Sequence, residues 1–228
     1  MKKDYTKIVF VVDRSGSMSS IANDIIGGYN KFISDQKALK HGTCDVSFYQ
    51  FDNSYEVVYE NTPIDVVKDL DNKTFVPRGG TALLDAVGKR IDNLGQQLSK
   101  LPEPERPEKV LVVIITDGEE NSSRSYNWET VKQAVEHQTN VYKWQFTYIG
   151  ANQDAWSVGA NIGIAANASL TYAANSKGST NMFSSLSANT TLYRSATSSS
   201  FAYNKSDIDA QKDAGAAVTK TVATNNTL

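Results

Sequence analysis

The chain has 228 residues, with 23 Lys and Arg against 25 Asp and Glu, a formal charge of −2. That length builds one large α/β domain, or a domain plus a tail, and the balanced charge argues against a generic nucleic-acid binder, which carries a basic face. A single cysteine, Cys44, excludes an internal disulfide, and with only His41 and His137 beside it no Cys/His zinc set or His-rich metal centre can form.

Met1-Lys2-Lys3 is the kind of start that opens a signal peptide, but the apolar run at residues 8–12 is too short for one and ends at Asp13. No stretch approaches the length that crosses a bilayer. The expectation is a soluble, cytoplasmic, monomeric protein with no nucleic-acid or membrane partner. A lone domain of this kind also suggests a bacterial or phage origin.

Residues 7–12 (KIVFVV) form a continuous β-branched, apolar run, the pattern of a strand buried on both faces. An amphipathic helix follows, with Ile21, Ile25, Tyr29, Phe32 and Ile33 on one face. Residues 45–51 and 55–59 read as strands joined by Asp52-Asn53-Ser54, a hairpin signal. Gly79-Gly80 leads into a second helix carrying Leu84, Val87, Ile91, Leu94, Leu98 and Leu101, which the proline-rich residues 102–107 stop.

Residues 109–115 (KVLVVII) are the most apolar strand and so the central one. A helix over 126–138 follows, with Trp128, Val131 and Val135 on one face, then a strand at 144–149 and a short helix at 154–161. Trp128, Trp144 and Trp156 read most simply as core or half-buried packing. Alternation of strand and helix over residues 7–160 predicts a mostly parallel sheet covered by helices on both faces. Beyond about residue 165 the chain is dominated by Ser, Thr, Asn and Ala and contains no proline. Residues 170–172 read as a last short strand, and Phe183, Leu186 and Tyr193 mark one more helix. The domain is expected to span 1–196, with 197–228 a disordered or marginally helical tail, residues 210–222 being its most helical part.

Ligands of open α/β sheets bind beyond the carboxyl ends of the strands. Three segments meet that condition: Asp13-Arg14-Ser15-Gly16-Ser17 after the first strand, Gly79-Gly80-Thr81 before a helix, and Thr116-Asp117-Gly118 after the central strand. Asp13, Ser15, Ser17, Thr81 and Asp117 offer only oxygen, which suits Mg²⁺, Mn²⁺ or Ca²⁺ and not zinc or copper. Alternate positions of an extended turn aim three side chains at one point, and Gly16 removes a side chain that would crowd it. Two carboxylates among neutral hydroxyls leave a divalent ion electrophilic and open to one more anionic ligand. Each residue also has a plainer reading: Ser15, Ser17, Ser19 and Thr81 as helix caps, Asp117-Gly118 as a turn. The ordered combination at the right strand ends favours the metal.

This set of motifs resembles the von Willebrand factor A domain with its metal-ion-dependent adhesion site, over roughly residues 5–175. The resemblance implies a Rossmann-like six-stranded sheet with one antiparallel edge strand and helices on both faces. It also implies an ion held by Asp13, Ser15, Ser17, Thr81 and Asp117, with the serines bound directly, the aspartates often through water, and Thr81 in either manner. The implied function is metal-dependent docking of an Asp or Glu from a protein partner, with no turnover. Arg14 is placed to shade the ion's face, and the serine-rich end is not foreseen by the family.

Two competing readings use the same ion. One is a metal-assisted hydrolase or phosphatase, with Glu119 or Glu120 as general base, although solvated loop acids are the simpler reading of both. The other is a structural or assembly protein whose Ser/Thr/Asn-rich end makes the contacts. No Walker lysine, G-x-G-x-x-G or G-x-S-x-G elbow is present, and Asp207-x-Asp209-x-Gln211 lacks the glycine and glutamate of a calcium loop.

Overall fold

A computed structural model describes residues 1–151 and 154–217. Its six strands are β1 (Lys2–Asp13), β2 (Thr43–Phe51), β3 (Tyr55–Pro63), β4 (Pro107–Thr116), β5 (Gln145–Ala151) and β6 (Ser169–Tyr172). They lie in one sheet in the order β3-β2-β1-β4-β5-β6. Only β3 runs antiparallel, paired with β2 through the hairpin at Asp52-Asn53-Ser54. The expected six-stranded, mostly parallel sheet with one antiparallel edge is thus the observed one, and β4 and β1 are its two middle strands.

Successive side chains of a strand point to opposite faces, and both faces here are covered. Ile8, Phe10 and Val12 of β1 and Leu111, Val113 and Ile115 of β4 face one layer. That layer holds α1 (Ala22–Ala38) and α5 (Ser176–Arg194). Val9, Val11, Val110, Val112 and Ile114 face the other, made of α2 (Leu83–Ser99), α3 (Trp128–Tyr142) and α4 (Ala155–Asn161). All five apolar residues expected on the first helix are buried, Ile21 in the 3-10 turn Gly16–Ile21 that precedes α1. Tyr29 and Phe32 meet the Phe10 ring edge-on at centroid separations of 5.0 and 5.2 Å, a favourable geometry for aromatic pairs.

Three sequence expectations need correction. Trp128 and Trp156 sit at the first turns of α3 and α4 and are 39% and 48% exposed, whereas Trp144 is buried. Leu101 lies beyond the end of α2 and is 37% exposed. Residues 197–217, expected as part of a loose tail, pack on the domain. Phe201 and Tyr203 are buried in the α1/α5 layer, and the Tyr203 N–H donates to the Asn167 carbonyl (2.7 Å). A further helix, α6 (Lys205–Asp213), is closed by a reciprocal cap between Asn204 and Asp207. Asp207 and Asp209 are therefore helical residues. The helix expected at 210–222 is met only at 210–213, residues 214–217 are turn and coil, and those from 218 lie outside the described chain.

Chain order places the ligand edge. After β1 the chain builds β2 and β3 on one side, then crosses to β4 on the other. The carboxyl ends of β1 and β4 are therefore a topological switch point, where the connections leave in opposite directions and open a crevice. Val12 of β1 lies beside Ile115 of β4, which brings Asp13 and Thr116 level at that edge.

Candidate metal site

Asp13 ends β1 with its carboxylate fully buried and held on both oxygens. The Ser15 N–H donates to Oδ1 (2.6 Å) and the Thr116 hydroxyl to Oδ2 (2.6 Å). The Ser15 and Ser17 hydroxyls lie 3.0 Å apart, and Ser17 Oγ donates to Asp117 Oδ1 (2.6 Å). Thr81 is also buried, and the Gly16 N–H donates to the Gly79 carbonyl (3.1 Å), tying the glycine loop to the first loop.

Gly118 shows how closely these groups converge. A Cβ on it would lie 2.6 Å from Thr81 Oγ1, 3.4 Å from Asp13 Oδ2 and 3.5 Å from Ser17 Oγ. Oxygens from the first loop and the glycine loop thus border, against Gly118 of the third, one small space that a methyl group would fill. At Gly16, by contrast, a Cβ would meet only the Gly79 carbonyl at 3.6 Å, an ordinary contact. The crowding argument therefore belongs to Gly118 and not to Gly16.

Electrostatically the space is acidic, buried on its Asp13 and Thr81 side and open to solvent at Ser17. Burial lifts the Asp13 carboxyl to about 6 against the opposing hydrogen bonds from Thr116 and Ser15, and burial also raises Asp117. Two carboxylates without a cation beside them are costly to ionise there, and a divalent ion would remove that cost. The donor chemistry fits one: two carboxylates and three hydroxyls, all hard oxygen ligands. Among the described residues no three His, Cys, Asp or Glu side chains come together as a metal site. Here hydroxyls take the place of further carboxylates.

A model of the von Willebrand factor type A domain matches residues 7–213. The chain belongs to the von Willebrand factor type A domain family. No curated protein matches this A domain in sequence. In structure it is similar to the PilB minor pilin of Streptococcus sanguinis, at 15% identity and a TM-score of 0.56 over 82% of this chain and 61% of the pilin. It is similar to the von Willebrand factor domain of a type V pilus tip protein from Porphyromonas gingivalis, at 9% identity and a TM-score of 0.58 over 82% and 95%. It is also similar to proximal thread matrix protein 1 of the mussel byssus with its adhesion-site motif occupied by zinc, at 15% identity and a TM-score of 0.55 over 82% and 46%. At such identities the likeness is one of fold. The chain spans less than two thirds of the minor pilin and about half of the byssus protein.

The shell around the A-domain site differs from its sequence reading in three places. Arg14 turns away from the ion position: it is buried, with Nε 3.2 Å from Asp52 Oδ2 and Nη2 2.7 Å from Glu56 Oε2, and it pins the β2–β3 hairpin. Thr81 does not cap α2, whose N-cap position is Ala82 without a side-chain bond. Glu120 supplies part of that cap instead. Its carboxylate accepts from the N–H groups of Leu84 (2.9 Å), Ser122 (2.9 Å) and Ser123 (2.8 Å) and from the Ser123 hydroxyl (2.7 Å). It is neither a solvated acid nor a free base.

Sequence reasoning missed two asparagines. Asn121 Oδ1 accepts from the Thr81 N–H (2.9 Å), and Asn53 Oδ1 accepts from the Gly80 N–H (2.7 Å). Together they hold the loop that carries Thr81. Both look like ordinary turn residues along the chain, so no signal marked them. Thr116, by contrast, was visible as the first residue of Thr-Asp-Gly.

Proposed function

We propose that this A domain binds Mg²⁺ or Mn²⁺, with Ca²⁺ as a weaker alternative, through Asp13, Ser15, Ser17, Thr81 and Asp117, and docks an Asp or Glu of a protein partner on the ion. The observation that carries the reading is the convergence of three loops at the β1/β4 switch point, with oxygens of Asp13, Ser17 and Thr81 around Gly118 and Asp117 bonded to Ser17. When bound, the ion would act as a Lewis acid toward an incoming carboxylate. Asp13 is oriented for the task by Thr116 and Ser15, while Asn53 and Asn121 keep the Thr81 loop in register.

Protein binding without turnover is favoured because Glu120, one of the two candidate bases, is committed to its loop, which leaves only the exposed Glu119. Glu120 is held by four hydrogen bonds. His41 sits just ahead of β2, at the opposite end from the switch point, 3.5 Å from Asp4, and His137 lies in α3 against the Tyr142 ring. The pilus and byssus neighbours are in keeping with an adhesive or structural role.

Thermal melts in EDTA, Mg²⁺, Mn²⁺ and Ca²⁺ test the metal. A ligand at 100 times its Kd stabilises the folded state by about 2.7 kcal/mol, a rise of roughly 5–10 °C for a domain of this size. The rise should vanish in Asp13→Ala and Thr81→Ala. Equal melting of the wild type in EDTA and in millimolar Mn²⁺, with no heat on direct titration, would end the proposal.

A further inference from the structure

Beside the candidate metal site runs a polar groove that the reading above does not use. One part, of about 180 Å³, is bordered by Asn53, Tyr55, Ala82, Ala86, Lys89 and Tyr126. A second, of about 440 Å³, shares Asn53 and Asp85 with it and continues past Asn121 to Arg124. At about 30 Å³ per water this is room for a peptide side chain with its hydration. The groove opens next to the ion position. A Cβ on Gly80 would lie 2.5 Å from Ser122 Oγ and 2.9 Å from Asn121 Oδ1, inside the groove wall. Gly80 precedes Thr81, so groove and metal site begin about 3.8 Å apart along the chain.

The charges in the groove are unevenly matched. Asp85 is four residues before Lys89 on α2, a spacing that normally pairs acid and base. Here its carboxylate instead accepts from the N–H groups of Arg124 (2.9 Å), Ser125 (2.8 Å) and Tyr126 (2.8 Å). Asp92, three residues beyond Lys89, accepts from the Tyr126 hydroxyl (2.6 Å). Lys89 is left exposed, its ammonium 5.1 Å from the centre of the Tyr55 ring. Among the described residues neither Lys89 nor the exposed Arg124 has a carboxylate within ion-pair distance. Lys89 and Arg124 therefore stand in the groove outside any salt bridge, Lys89 over the Tyr55 ring and Arg124 near enough to Asp85 for its charge to favour that carboxylate.

We infer that the groove receives a second carboxylate of the partner, so that the domain recognises a segment with two acidic residues, one on the ion and one at Lys89 and Arg124. This rests on the metal-dependent docking proposed above. The spacing follows from the elements. Leu83 and Lys89 are six positions apart on α2, about 9 Å at 1.5 Å per residue, and the two non-helical steps back to Thr81 add at most about 7 Å. An extended peptide covers about 9–16 Å in three to five residues, so the two acids should be separated by that interval.

The full chain, saturated with Mn²⁺, should be titrated with two blocked glycine-based peptides, one carrying a single aspartate and one carrying two aspartates four residues apart. The doubly acidic peptide should bind about fivefold more tightly, the return from two exposed ion pairs. The double variant Lys89→Ala/Arg124→Ala should lose that advantage while keeping its Mn²⁺ affinity and its affinity for the single-aspartate peptide. Equal binding of the two peptides by the wild type, or an advantage that survives in the double variant, would overturn the groove assignment and leave the metal reading standing. No binding of Mn²⁺ or of the single-aspartate peptide would overturn both.

Discussion

Gly118→Ala places one methyl group in the space bordered by Thr81, Asp13 and Ser17, three of the five candidate ligands. Its Cβ would start 2.6 Å from Thr81 Oγ1, and ordinary contact begins near 3.4 Å, so the hydroxyl or the 117–118 backbone must retreat by about 0.8 Å. Metal–ligand distances tolerate only about 0.2 Å, and Mg²⁺ is especially demanding of geometry. A displacement several times that tolerance should weaken Mn²⁺ or Mg²⁺ binding at least tenfold. Gly16→Ala is the matched control, because its Cβ meets nothing closer than 3.6 Å. Calorimetric titration with Mn²⁺ reads the affinity, and a melt in EDTA separates lost binding from lost folding. We expect Gly118→Ala to melt within a few degrees of the wild type in EDTA and to lose the metal-induced rise, while Gly16→Ala keeps it. Wild-type Mn²⁺ affinity in Gly118→Ala would refute the claim that these oxygens share an ion.

Burial raises the Asp13 carboxyl from 3.8 to about 6, so between those values the native state holds more protons than the unfolded chain. Metal-free stability should therefore fall as pH rises from about 4 to 6, by at most about 3 kcal/mol from this group. Because the ion needs the ionised carboxylate, the melting rise produced by Mg²⁺ should grow across the same window; a pH-independent rise would contradict the burial argument. Glu120→Ala removes the acceptor for three backbone N–H groups and one hydroxyl, with an expected loss of about 2 kcal/mol in denaturant unfolding. An unchanged midpoint would show that water replaces the carboxylate without cost. Phe201→Ala empties a buried site in the α1/α5 layer, and the usual price of such a cavity is about 3–5 kcal/mol. Chemical denaturation with wild-type stability would instead mean that the 197–213 segment is only loosely attached.

Fold class was legible along the chain because its determinants are periodic and local. Runs such as 8–12 and 110–115 lack polar positions, and only strands covered on both faces tolerate that. The hairpin at 52–54 carried its own turn signal, which set β3 antiparallel. The candidate ligands were legible for a similar reason. Asp13, Ser15 and Ser17 alternate at the end of β1 and in the turn after it, Thr81 stands two residues before a helix, and Asp117 directly follows a strand. The C-terminal segment was misread because Phe201 and Tyr203 are isolated apolar residues in a polar stretch. Their burial depends on a surface made by residues far away in the chain.

What the sequence determined by itself, then, was the order and kind of the elements up to β6 and the oxygen-only chemistry of the loops at their ends. Those follow from residue type and spacing over a few positions. Only the tertiary structure decided that Gly118 and not Gly16 borders the common space, that Arg14 serves the hairpin, and that Glu120 closes the start of α2. It also decided that Asn53 and Asn121 hold the Thr81 loop and that Lys89 and Arg124 stand outside any salt bridge. Each of these depends on which of several possible partners a side chain meets at about 3 Å. Asp85 shows why such choices are invisible along the chain: its helix neighbour Lys89 was in reach, and three backbone N–H groups some forty residues away bound it instead.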